Sequence, residues 1–241
     1  VSALVISSNH LYGKIPGSLG QIKTLEYIDL EDNFIYGNIP EELGLIQNLR
    51  SINFAGNLLT GSLPHWFSTH KKLYTLVLSN NKLSGIIPSL NNAMDLAILV
   101  LDRNNFTSAP PVFSDNINLE LLDLSNNNLT GMIPASYGRI KTLVDLELAN
   151  NHLYGSIPSE FGNLRLLNVL DLSGNRLNGN IPDALGDLAL MKDLMLNNNF
   201  LTGNIPSSLG NMQDLQYCQL QNNNFGCPSP AELPNVCKTD C

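Results

Sequence analysis

The chain has 241 residues, a hydrophobic fraction of 43%, charged residues at only 14%, and a formal net charge of −8. The acidic balance argues against nucleic acid, which requires clustered Lys and Arg. No apolar run approaches the roughly 20 residues that span a bilayer.

The first nine residues, Val1 to Asn9, already carry the organising pattern. Asn9 is followed at almost constant spacing by Asn33, Asn57, Asn81, Asn104, Asn127, Asn151, Asn175, Asn199 and Asn223; the steps are 24 residues, except two of 23. Each Asn ends a segment L-x-x-L-x-L-x-x-N, plain in Leu119, Leu122, Leu124 and Asn127. Most units continue x-L-x-G-x-I-P-x-x-L-G, as in Leu177, Gly179, Ile181, Pro182, Leu185 and Gly186. A period in this range predicts a solenoid. The asparagines are locked in register with leucines, so their abundance is not low-complexity disorder. Because the chain opens inside a repeat, whose bare coil would expose its core, it reads as the C-terminal piece of a longer protein. Residues 1–225 hold nine full or nearly full units plus the start of a tenth. Residues 215–241 form a capping unit that overlaps the last repeat.

Within each unit, the first Leu is position 1 and the Asn position 9. Positions 4 and 6 alternate inward as in a half-buried strand, leaving 2, 3, 5, 7 and 8 outward. Stacked coils then place these strands in one parallel sheet. The Asn amide at the turn can satisfy backbone groups that would otherwise be buried unpaired. Gly at position 13 permits a bend, and Pro at position 16 stiffens the next turn. Two units depart from the pattern. The fourth reads Ser89-Leu-Asn-Asn92 where Leu-Gly is expected, and the fifth, from Phe106 to Phe113, loses both the Gly and the Ile-Pro step. A local change of outer-wall path is expected there.

The four cysteines, Cys218, Cys227, Cys237 and Cys241, lie within the last 24 residues. Their spacing lacks the paired knuckles and nearby His of a zinc site, so two disulfides in an oxidising compartment are expected. Three pairings remain open.

The segments Leu129-Thr-Gly-Met-Ile-Pro134 and Leu201-Thr-Gly-Asn-Ile-Pro206 resemble the L-t-G-x-I-P signature of plant-type leucine-rich repeats. The resemblance runs to Phe225. It implies an α/β solenoid, a right-handed curved superhelix with a parallel β-sheet on its concave face. It also implies a non-catalytic extracellular binding role, as in receptor ectodomains or secreted inhibitors of cell-wall hydrolases. A structural, self-assembling wall or filament protein is the reading from another class. The cysteine-rich end looks like the caps of secreted fungal or protist leucine-rich proteins.

Sorting charges by position puts eleven acids and three bases on the concave positions, so that face carries the whole net charge of −8. The expected partner is therefore a protein or peptide presenting basic groups, with polysaccharide or self-association as alternatives. Glu26, Tyr27, Asp29, Glu31 and Asp32 crowd four acids and an aromatic anchor into the second unit. Tyr74, Asp123, Glu147 and Asp171 extend the candidate surface, with Tyr217 as a further anchor. Asp at position 5 also serves simply to keep such a sheet soluble, which covers Asp123 and Asp171 without any function. No D-x-D-x-D-G loop supports calcium, and no cofactor is implied. His10, His65, His70 and His152 are scattered, predicting surface histidines and no catalytic grouping. Trp66 reads as a partly covered outer-wall aromatic. Position 12 holds Tyr12, Tyr36 and Tyr154, and position 10 holds His10, Phe34 and His152, together one lateral ridge. Two N-x-T sequons, at Asn105 and Asn128, fall at position 10 of adjacent coils and are candidate glycan sites.

Overall fold

The structure is a computed structural model and describes residues 1–90, 92–113, 118–227, 230–231 and 233–240. Eleven short parallel strands, from Ala3–Val5 to Cys237–Lys238, pair in strict chain order as one sheet. Their register is constant: Leu122 faces Leu99 on one side and Leu146 on the other. Position 4 and position 6 side chains point into the core, and Leu122, Leu124, Leu146 and Leu148 are fully buried. Each fully buried leucine contributes roughly 1.5–3 kcal/mol. In a solenoid that stabilisation is shared only between neighbouring coils.

A second sheet was not legible in the sequence. Ten strands of two to five residues, from Tyr12–Gly13 to Asn224–Phe225, run along the flank where only the lateral ridge was expected. The turn between the two sheets is held by the asparagine ladder. The Nδ2 of Asn127 donates to the carbonyls of Leu101, Leu124 and Ser125 at 3.0, 3.2 and 3.1 Å, and its Oδ1 accepts from the Phe106 N–H at 3.0 Å. The same arrangement recurs at Asn57, Asn81, Asn104 and Asn151. One side chain thus serves two coils.

The residue before each ladder Asn is left-handed. Asp32, Asn80, Arg103, Asn126, Asn150, Asn198 and Asn222 have φ between 50° and 58°. Gly56 and Gly174 occupy the same position in their units, which explains its bias to Asn and Gly. Position 13 is also left-handed, and Ser108 adopts φ 76° there where most other units use Gly.

On the convex side the helical pieces are 3-10 turns rather than α-helices: Gly17–Gln21, Glu41–Leu45, His65–Ser68, Ala135–Arg139, Ser159–Asn163, Asp183–Asp187 and Ser207–Asn211. Each begins after a Pro in extended conformation. Adjacent coils approach closely there, and a Cβ on Gly138 would lie 2.3 Å from the Glu160 carbonyl oxygen. No such turn occurs among the described residues of the fourth and fifth units. Tyr137 bridges the irregular stretch instead. It occupies a leucine position, is fully buried, and donates its hydroxyl to the Pro111 carbonyl at 2.8 Å. Burial pushes that hydroxyl's pKa far up, so it stays a donor.

Two expectations for the outer wall are corrected. His70 is only 4% exposed, with Nε2 3.0 Å from the Ile46 carbonyl oxygen. It fills the row that Ile22, Ile46, Ile140 and Leu164 fill in other units, so packing claims it. Trp66 is covered rather than partly covered, at 7% exposed; it lies on Gly44 and donates Nε1 to the Pro40 carbonyl at 3.3 Å.

The cap adds a final strand. Cys237–Lys238 pairs with Tyr217–Gln219, and the Leu220 N–H reaches the Lys238 carbonyl at 2.8 Å. A disulfide joins Cys218 to Cys237, register partners with Cα atoms 4.3 Å apart. Cys218 is fully buried. Cys227 is also disulfide-bonded, and Cys241 lies outside the described residues.

Candidate recognition surface

The outward side chains of the eleven-stranded sheet form the candidate surface, and its acids fall into two groups. In the second coil three of the four acids have a local partner. Glu26 lies 3.6 Å from Arg50, and both side chains are solvent-exposed. Asp29 Oδ1 accepts from the Glu31 N–H at 3.0 Å, and Glu31 Oε2 accepts from Asn53 Nδ2 at 3.1 Å. Asp32 takes the left-handed position and lays its carboxylate over Gly56. Tyr27, at the start of its strand, is 46% exposed. The second group lies four to six coils further on, where Asp123, Glu147 and Asp171 are register partners on adjacent strands about 4.8 Å apart.

Position 5 has a structural task on several coils. Asp123 and Asp171 each accept the N–H two residues on, from Ser125 at 2.8 Å and Ser173 at 2.9 Å. Asn53 does the same for Ala55 at 3.2 Å. Among the described residues Glu147 accepts no such bond. It is half-buried between two aspartates, and its pKa is pushed up to about 7, first by burial and then by Asp123, Asp171, Asp145 and Asp102. Burial also raises Asp123, an effect opposed by its bonds to Ser125 and reinforced by Asp102 and Asp171. Asp145 is raised by burial and by Asp193, with Lys192 opposing. Asp102, Asp145 and Asp193 belong to the eleven concave acids of the sequence but not to its candidate site residues. Aligning positions 3, 5 and 7 of adjacent coils would have shown them together.

Tyr74 stands between the groups, beside a shallow cleft of about 180 Å³ lined also by Arg50, Lys72, Asp95, Asn118 and Glu120. Tyr217 lies on the penultimate strand of the sheet. The lateral ridge is open: Tyr12 stacks on Tyr36 at 5.0 Å and His10 on Phe34 at 5.9 Å. Asn105 and Asn128 are exposed at the first residue of their flank strands. Among the described residues no group of three or more His, Cys, Asp or Glu is placed to hold a metal, and no helix is long and apolar enough to cross a membrane.

Leucine-rich-repeat family patterns match residues 95–153 and, separately, 24–45, 48–70, 72–93, 166–188 and 191–212. With two ladders of sequential parallel strands, this places the chain in the leucine-rich-repeat family. Among solved structures it is similar to a plant peptide hormone receptor, RGFR1 in complex with RGF2, at 32% identity and TM-score 0.81, covering 99% of this chain and 42% of that one. It is similar to the ectodomain of the Arabidopsis receptor kinase HAESA in complex with an IDA peptide hormone, at 32% identity and TM-score 0.87, covering 93% and 38%. It is also similar to a plant ice-binding protein, at 30% identity and TM-score 0.78, covering 92% and 72%. The chain thus spans about two fifths of the receptor chains it matches. No curated protein matches it.

Proposed function

We propose that this chain is a non-catalytic, extracellular recognition module that docks an extended basic protein segment across its concave sheet. One observation carries the reading: the negative charge of the protein sorts to the outward positions of that sheet, and among the described residues no Lys or Arg forms an ion pair with its half-buried carboxyl ladder, Asp123, Glu147 and Asp171. A lysine or arginine of the partner would supply them. From Tyr27, Glu26, Asp29, Glu31 and Asp32, past Tyr74, to Asp171, the stripe crosses six coil steps, or roughly 29 Å at the usual strand spacing. An extended segment of about nine residues covers that length. The similarity to receptors whose structures contain peptide hormones supports a peptide partner. A secreted inhibitor of a hydrolase would use the same physics with a folded partner.

The test uses the triple variant D123N/E147Q/D171N. Asn keeps the acceptor that holds the Ser125 and Ser173 amides, so folding is preserved. Extended nine-residue Lys/Arg peptides and their Asp/Glu counterparts are the probes, read by biosensor kinetics at two salt concentrations. The wild type should favour the basic set, with an association rate that falls with salt. The variant should lose that preference, while Tyr27→Ala should mainly raise the dissociation rate. Equal binding of basic and acidic peptides by the wild type refutes the reading.

A further inference from the structure

We propose that Asn105 and Asn128 both carry N-linked glycans, forming one modified patch on the flank of the fifth and sixth coils. The argument rests on which asparagines the fold leaves accessible. The ladder asparagines from Asn33 to Asn199 are spent: they are buried and their amides bond to two coils, and two residues after every ladder Asn comes Leu, Ile or Phe rather than Ser or Thr. None of them is therefore a sequon. Position 10 is different. It is exposed in every coil, and the residue two further on, position 12, faces outward. There an accessible Asn can be followed at the required spacing by an accessible Thr, and two adjacent coils have that pair: Asn105 with Thr107, and Asn128 with Thr130. Neither amide is engaged by another described residue.

The chemistry needs one co-reactant, an oligosaccharide joined through its anomeric carbon to a polyprenyl diphosphate. The Asn Nδ2 forms a bond to that carbon, the carbon–oxygen bond to the diphosphate breaks, the amide gives up one proton, and the lipid diphosphate leaves. The Cys218–Cys237 disulfide fits the oxidising secretory compartment in which this modification takes place. Thr107 and Asn128 are register partners, so the two acceptors stand about 8 Å apart. Sugars there would cover the flank next to the exposed Met132 and Val112, and leave the concave side chains open.

The full chain, secreted from a eukaryotic culture, is treated with a glycosidase that converts each glycosylated Asn to Asp, and its peptides are weighed. Conversion at Asn105 and Asn128, and nowhere else in this Asn-rich chain, is expected. Thr107→Ala and Thr130→Ala should each abolish one site while secretion continues. Secreted, folded protein with neither site converted, or with only one, overturns the proposed patch. Peptide binding is read separately, so failure here leaves the concave-face reading standing.

Discussion

Replacing Glu147 by Gln should make the protein more stable at pH 8 and leave it unchanged at pH 4. In the fold this carboxyl is half-buried and faces Asp123 and Asp171, so its pKa rises from 4.5 to about 7. For an acid raised in this way, the folded state binds the extra proton. The resulting stabilisation is fully present below about 4.5, and is lost as pH rises through about 7. A rise of that size corresponds to roughly 3 kcal/mol without screening. Half the group meets solvent, and screening leaves about 1 kcal/mol. Gln has the same shape as the protonated acid and never ionises, so the variant escapes the loss. For a chain of this size about 1 kcal/mol moves the melting temperature by roughly 2–4 °C. Thermal melts of both proteins at pH 4 and pH 8 measure the gap. Hydrogen exchange at Leu146 and Leu148 reads it locally, since a solenoid need not unfold in one step. An equal gap at both pH values, or a carboxyl titration of Glu147 near 4.5 in the folded protein, would refute the reasoning.

Asn127→Leu should cost about 3–5 kcal/mol locally, because it strands the buried Phe106 N–H and the three carbonyls that the amide serves; hydrogen exchange should show opening centred on the fifth and sixth coils. Ser108→Gly should stabilise by about 1 kcal/mol, since φ 76° is strained for Ser and free for Gly; a melting temperature no higher than wild type counts against it. Tyr137→Phe should destabilise by about 1–3 kcal/mol by leaving the buried Pro111 carbonyl unpaired, visible as a lower denaturation midpoint.

The repeat was legible because each inward position answers to a single neighbour, the same position one coil away. Leucine spacing and the ladder Asn therefore specify the sheet, its strand order and its register. The flank sheet was hidden because its strands have only two to five residues and bury at most one side chain each, as in Asn128–Gly131, too few to show an alternation. Position 8 did carry a signal that went unread: Asn80, Asn126, Asn150, Gly56 and Gly174 are the residues that tolerate left-handed backbone. His70 was misplaced for a different reason. It was judged as a lone histidine, when its alignment with Ile46 and Leu164 puts it in a core row. On the concave face the sequence supplies the sign of the charge but not its coupling. The raised pKa of Glu147 depends on which acids adjacent coils bring beside it.

That coupling separates the scaffold's needs from the surface's. At position 5 an Asp or Asn holds the turn that follows, as Asp29, Asn53, Asp123 and Asp171 do. Their side-chain acceptor is therefore explained without a partner, though Asn53 shows that the bond does not require a charge. Glu147 has one more methylene, accepts no such bond among the described residues, and sits where its ionised form is opposed from both sides. Solubility does not require it either, because Gln or Ser would wet the sheet as well. A charge that works against the fold at its own position, while serving no local bond, is the kind of violation expected at a functional surface. A partner's cation at this point would lower the Glu147 pKa and drive off a proton. Docking of a basic peptide near pH 7 should then release protons, measurable as a dependence of the binding enthalpy on the ionisation enthalpy of the buffer. The Gln variant should show a much smaller dependence. A wild-type enthalpy that is the same in phosphate and Tris would place the basic partner elsewhere on the sheet, with the second-coil acids around Tyr27 the next surface to test.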